Sequence, residues 1–127
     1  MANQFATAIN CMDGRAQKPV TEYLQKNFSV DYVDMITEPG PCKILSEGHD
    51  TTIIESIKKR VEISVKKHGA QIIAVVAHYA CAGNPVNDDA QQQQLQKAID
   101  VIHSWEFPVK KVIALWLDED FKPSIIN

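Results

Sequence analysis

Four short runs of apolar, largely β-branched residues punctuate the chain: Phe5 to Ile9, Val30 to Ile36, Ile72 to Ala77 and Val112 to Leu117. The last two are almost wholly apolar, the pattern of strands covered on both faces. Between the runs the period changes to that of a helix. Val20, Tyr23, Leu24 and Phe28 share one helical side, with Pro19 suited to a first-turn position. Ile54, Ile57, Val61 and Val65 form a second stripe. Thr52 followed by Glu55 reads as a capping box at its start, and Gly69 stops it after Lys67 and His68. Leu95, Ala98, Ile99 and Ile102 mark a third helix from about Asp88 to Trp105, in which glutamines 91 to 94 need be no more than helix formers. The longest irregular stretch, Thr37 to Asp50, contains Pro39, Gly40, Pro41 and Gly48 and is placed to lie over a site.

Strands alternating with helices predict an α/β fold of three layers, a central parallel four-stranded sheet flanked by helices and linked by right-handed crossovers. The 127 residues fit one domain, 1–127, with no linker or internal repeat. In such sheets ligands bind beyond the carboxyl ends of the strands, near a topological switch point.

Composition narrows the function by exclusion. A net charge of −3 argues against a nucleic-acid partner, which needs clustered Lys and Arg to neutralise phosphates. The nearest basic run, Lys58-Lys59-Arg60 with Lys66 and Lys67, is interrupted by Glu55 and Glu62 and reads as a solvated helix face. No run approaches the roughly 18 apolar residues of a membrane span, and no basic segment followed by an apolar core opens the chain. The expected location is cytoplasmic. Three cysteines are an odd count, so metal binding or catalysis is favoured over a disulfide framework.

Two segments just past strand ends carry the chemistry: Cys11-Met12-Asp13-Gly14-Arg15 and His78-Tyr79-Ala80-Cys81. If their strands are parallel neighbours, two thiolates and an imidazole converge. Zinc favours such donors in a tetrahedral shell, and Cys11, His78 and Cys81 leave a fourth position for water. A metal with an open position lowers the pKa of its water from about 15.7 to near 7. Asp13 could then accept a hydrogen bond from the hydroxide, while Arg15 holds the carboxylate in a forked contact and keeps it off the metal. The ordinary readings stand beside these. Cys11 and Cys81 also suit buried apolar positions, and Asp13 with Arg15 also suits a surface pair or a helix cap.

Cys-x-Asp-x-Arg at the end of the first strand, followed by His-x-x-Cys at the end of a later one, resembles the zinc signature of the β-class carbonic anhydrases. The matching positions are Cys11, Asp13, Arg15, His78 and Cys81. The similarity runs from the first strand through the fourth. It implies bound Zn2+, a homodimer or higher homo-oligomer, and a small-molecule substrate, with reversible hydration of carbon dioxide to bicarbonate by zinc-bound hydroxide. Enzymes of this fold also hydrolyse carbon disulfide or carbonyl sulfide, so the signature implies the chemistry more narrowly than the substrate. The chain departs from the pattern where Ala82 precedes Gly83 after the second cysteine and where Glu38-Pro39-Gly40 replaces Asn-Ala-Gly. A zinc protein without activity, and a thiol redox protein using Cys11 and Cys81, are the competing readings.

The remaining candidates are weaker. Cys42 reads as a loop thiol of no special role, and His49, His68 and His103 as surface or capping residues, with His49 able to shuttle protons if its loop covers the site. Tyr79 lies between two ligands and could line the pocket or pack on a neighbour. Trp105, Trp116 and Phe121 suit a core or subunit interface, and the tail from Phe121 to Ile126 is apolar enough to dock on a partner.

Overall fold

A computed structural model describes residues 3–126. Strand β1 (Phe5–Cys11) leads into helix α1 (Gly14–Phe28), β2 (Tyr32–Glu38), α2 (Pro41–Glu47) and α3 (Thr51–Lys66). Then follow β3 (Ile72–His78), α4 (Asp88–Ser104), β4 (Lys111–Leu117) and β5 (Pro123–Ile125). The sheet order is β2-β1-β3-β4-β5. Its first four strands are parallel, as the alternating pattern requires, and β5 adds an antiparallel edge on β4. The four-stranded expectation is therefore corrected to five: Pro123–Ile125 is too short to show a period of its own.

Each face of the sheet holds one core. On one side Val20 and Leu24 of α1 pack on Ala6, Ala8, Ala74, Val76 and Leu115. On the other, residues of α2, α3 and α4, including Leu45, Ile57, Val61, Leu95 and Ile102, pack on Ile9, Ile73 and Val75. β3 is buried at all seven positions, which accounts for its nearly uninterrupted apolar sequence.

Several element boundaries differ from the sequence expectation, each for a local reason. Helix α1 starts at Gly14, earlier than the apolar stripe suggests, because Asp13 caps it by accepting a hydrogen bond from the Arg15 amide. Pro19 consequently lies inside the helix rather than in its first turn. Helix α3 is capped by Asp50, whose Oδ1 accepts from the Ile53 amide at 3.0 Å, so Thr52 is a helical residue and no capping box forms with Glu55. The stretch expected to be irregular contains α2, which buries Cys42, so that thiol is a core residue and not a loop one. The C-terminal segment completes the sheet as β5.

The chain moves from β1 outward to β2 and then returns to place β3 on the other side of β1. That reversal is the switch point of the sheet, and it lies between the strands that end in Cys11 and His78. Thr7, Ala8 and Ile9 pair with Ile73, Ala74 and Val75. Continuing this register brings Cys11 level with Ala77, one residue short of His78.

Candidate metal centre

The two motif segments leave the sheet side by side. Strand alternation sends Cys11 and His78 toward opposite faces at the edge, and a turn through Ala80, in the left-handed region at φ 53°, brings the Cys81 sulfur within 4.8 Å of the donor atoms of both. Tyr79 extends the pairing with β4 by donating its amide to the Leu117 carbonyl at 2.9 Å. All three donors are buried.

The Sγ atoms of Cys11 and Cys81 are 3.7 Å apart. Two sulfurs about 2.3 Å from one tetrahedral ion must lie about 3.8 Å from each other. The two sulfurs and a ring nitrogen of His78 all lie within 4.8 Å of one another. His78 Nδ1 lies 2.8 Å from the Tyr79 carbonyl, which can only accept, so Nδ1 carries the proton and Nε2 presents a lone pair. That Nε2 is buried and has no hydrogen-bond partner. An orphaned buried polar atom costs about 1–3 kcal/mol, and two sulfurs plus one imidazole nitrogen at this spacing form a donor set that fits zinc.

The thiols do not ionise alike. Burial opposes ionisation of both. At Cys11 this is outweighed by the neighbouring His78, then by the amides of Asp13 and Gly40, and its pKa falls below the usual thiol value. Burial and the charge on Cys11 push Cys81 up. Without a cation the centre thus favours one thiolate at a time; a divalent ion removes the like-charge repulsion that holds the second proton on. Burial likewise works against a charged His78, but the Cys11 sulfur, the Tyr79 carbonyl and the Asp13 charge together outweigh it and raise the imidazole pKa.

Asp13 stands at the rim. Arg15 grips both of its oxygens, donating from Nε to Oδ1 at 3.1 Å and from Nη2 to Oδ2 at 2.7 Å. Arg15, by side-chain and amide hydrogen bonds, holds the carboxyl down at about 2. Asp13 Oδ2 is 4.0 Å from His78 Nε2. The Arg15 guanidinium lies over the Phe121 ring, 4.7 Å from its centroid, and Phe121 in turn packs 5.4 Å from the His78 ring.

Supporting side chains emerge that motif reasoning did not single out. Gln17 donates to the Cys11 carbonyl at 2.6 Å, and Asn10 accepts from the Cys11 amide at 2.8 Å. Gln91 is buried and donates to the His78 carbonyl at 2.9 Å, so the glutamine tract does more than favour helix. Its position on the stripe with Leu95, Ala98 and Ile102 was the available signal. Phe121 is a wall of the centre, packed between the His78 ring and the Arg15 guanidinium. Trp116 is a core residue, with Trp105 packed at the core's margin.

The other candidates take different positions. Arg60, assigned to a solvated face, pairs with Glu38 at 2.5 Å. His68 bonds Asp34 at 2.6 Å and stacks on Phe5 instead of capping α3 with its ring. His103 is exposed on α4. His49 lines a surface cleft with Pro39, Lys43 and Gly83. Tyr79 is partly exposed and lines a second cleft with Val86, Asp88 and Asp89.

Among the described residues no helix is long and apolar enough to cross a membrane. No curated protein matches the chain. Among solved structures it is similar to the β-carbonic anhydrase CafA of Aspergillus fumigatus, at 12% identity and a TM-score of 0.48, over 100% of this chain and 76% of that one. The model of the family described as "Putative carbonic anhydrase" matches residues 1–127, the whole chain, and the chain belongs to that family.

Proposed function

We propose that the protein is a zinc-dependent lyase that reversibly hydrates carbon dioxide to bicarbonate, with Cys11, His78 and Cys81 as the metal ligands. The observation that carries this reading is the pair of sulfurs 3.7 Å apart facing a buried imidazole nitrogen without a partner. When bound, zinc would supply Lewis-acid chemistry and make a hydroxide nucleophile available near neutral pH.

The other steps belong to the chain's own groups. Asp13 is ionised throughout the working pH range and offers Oδ2 as an acceptor that orients the nucleophile's O–H. Arg15 keeps both Asp13 oxygens occupied from the rim, which holds the carboxylate out of the ligand shell. His78 is fixed in ring orientation by the Tyr79 carbonyl, and Phe121 excludes water from its flank. Asp13 and Arg15 thus favour an open site over the closed, inactive alternative. Three free cysteines suit a reducing compartment, the cytoplasm. The exposed apolar side chains of Met12 and Tyr79, both adjoining ligands, suit burial in a homodimer.

Zinc analysis and stopped-flow assay of carbon dioxide hydration test the proposal together. The wild type is expected to bind one zinc per chain and to accelerate hydration. Asp13→Asn is expected to keep its zinc and lose on the order of 100- to 10,000-fold in rate. Zinc-loaded protein that fails to accelerate hydration would refute the lyase; turnover of carbon disulfide instead would reassign the substrate. Sedimentation of the loaded protein as a monomer would refute the homodimer.

A further inference from the structure

The loops carrying Cys11 and Cys81 are braced by contacts that tolerate no added atom. A Cβ on Gly83 would lie 2.8 Å from the Pro39 carbonyl carbon, and one on Gly40 would lie 2.9 Å from Asn84 Cβ. Gly40 also needs its positive φ of 65°. Through this contact Pro39 and Gly40, just beyond β2, press on Gly83 and Asn84, just beyond Cys81.

Asn84 is the keystone of this packing. It is fully buried although it is an amide. Its Nδ2 donates to Gln94 Oε1 of α4 at 2.5 Å and toward Cys42 Sγ of α2 at 3.6 Å. Its backbone N–H closes the ligand loop on the Cys81 carbonyl at 3.2 Å. Yet its Oδ1 is buried without a partner. An unpaired buried acceptor costs about 1–3 kcal/mol, so an apolar side chain of similar size would serve stability better. What Asn84 supplies that an apolar residue cannot is a directional tie from the Cys81 loop to two helices.

We propose that Asn84 is a positioning residue of the metal centre: tied to Gln94 and Cys42 and seated against Gly40, it holds the Cys81 loop so that both cysteine sulfurs face one ion. The inference rests on Cys11, His78 and Cys81 being the zinc ligands. It reaches beyond the ligand signature, since Asn84 belongs to neither motif and touches no donor atom with its side chain.

Zinc affinity by competition with a chromophoric chelator, and the thiolate-to-metal absorption of cobalt-loaded protein, test it on Asn84→Ala and Gln94→Ala. Leu24→Ala, a cavity in the opposite core, controls for general destabilisation. The two tether variants are expected to keep native circular dichroism and bind one ion, with affinity lowered about 10- to 100-fold and the cobalt band shifted. Leu24→Ala is expected to match the wild type in both. Wild-type affinity and spectrum in Asn84→Ala would overturn the proposal while leaving the zinc reading intact. An equal change in Leu24→Ala would overturn it as well, since the effect would then be stability alone. If Asn84→Ala does not fold, Gln94→Ala decides by the same two readouts. A wild type that binds neither metal would overturn the zinc reading and this inference with it.

Discussion

Asp13 does two jobs with one side chain. Its Oδ1 takes the Arg15 amide and so starts α1, while both oxygens take the Arg15 guanidinium at the rim of the centre. A carboxyl held down at about 2 contributes stability that is fully present above the unfolded pKa, near 4, and is lost as pH falls through about 2. Arg15→Ala removes the main cause, so the Asp13 carboxyl should then titrate closer to 4. Carbon-detected NMR titration of the metal-free protein checks this, and an unchanged midpoint would show that Arg15 is not what depresses it. The five motif residues were legible in the sequence because so few side chains can bind a metal or hold a carboxylate, and their spacing after a strand is restrictive. Gln17, Gln91 and Asn84 were not, since an amide can tie to any carbonyl the fold brings near. Phe121 lies 43 residues beyond His78, and only the turn after β4 brings the two rings together.

Elements with a long period were readable, and those defined by their caps were not. β3 and the interiors of α3 and α4 follow directly from apolar spacing. Helix α2 was hidden because the residues that suggest irregular chain, Gly40, Pro41 and Gly48, are its N-cap, first residue and C-cap. Placing Cys42 in this helix changes its chemistry. Burial, reinforced by the charge of Cys81, pushes its thiol up to about 12. A thiol whose folded pKa exceeds its unfolded value of 9.0 leaves stability intact below about pH 9 and withdraws it as pH rises toward 12. Urea denaturation of metal-free protein at pH 8 and about pH 10.5 should show the wild type losing about 2 kcal/mol more than Cys42→Ala over that interval. Comparing the two proteins cancels the titration of Cys11 and Cys81. Equal losses would mean that Cys42 ionises in the folded protein as it does in the unfolded chain.

At the scale of the molecule, the two cores do not meet at the candidate metal centre; the sheet separates them, and the centre sits where its strands end. Four strands and three helices were enough to place Cys11 and His78 at one switch point, because parallel order and right-handed crossovers leave few alternatives. The antiparallel edge was not foreseeable from three residues. Segments from both ends of the chain share this edge, since Cys11 belongs to the first strand and Phe121 to the last turn. An ion held by Cys11, His78 and Cys81 would therefore tie β1 to the segment after β3 across 70 residues of sequence, and would be held only when both strands are in place. Such an ion stabilises the whole domain by about 2.7 kcal/mol when its free concentration is 100 times its dissociation constant. For a chain of 127 residues this corresponds to a rise of about 10 °C in the unfolding temperature. Calorimetry with zinc and after chelation should show that difference in the wild type and its disappearance in Cys81→Ala, while Asp13→Asn should keep most of it because the ligands remain. A chelator-insensitive wild type would mean that the three donors do not hold an ion in the folded protein.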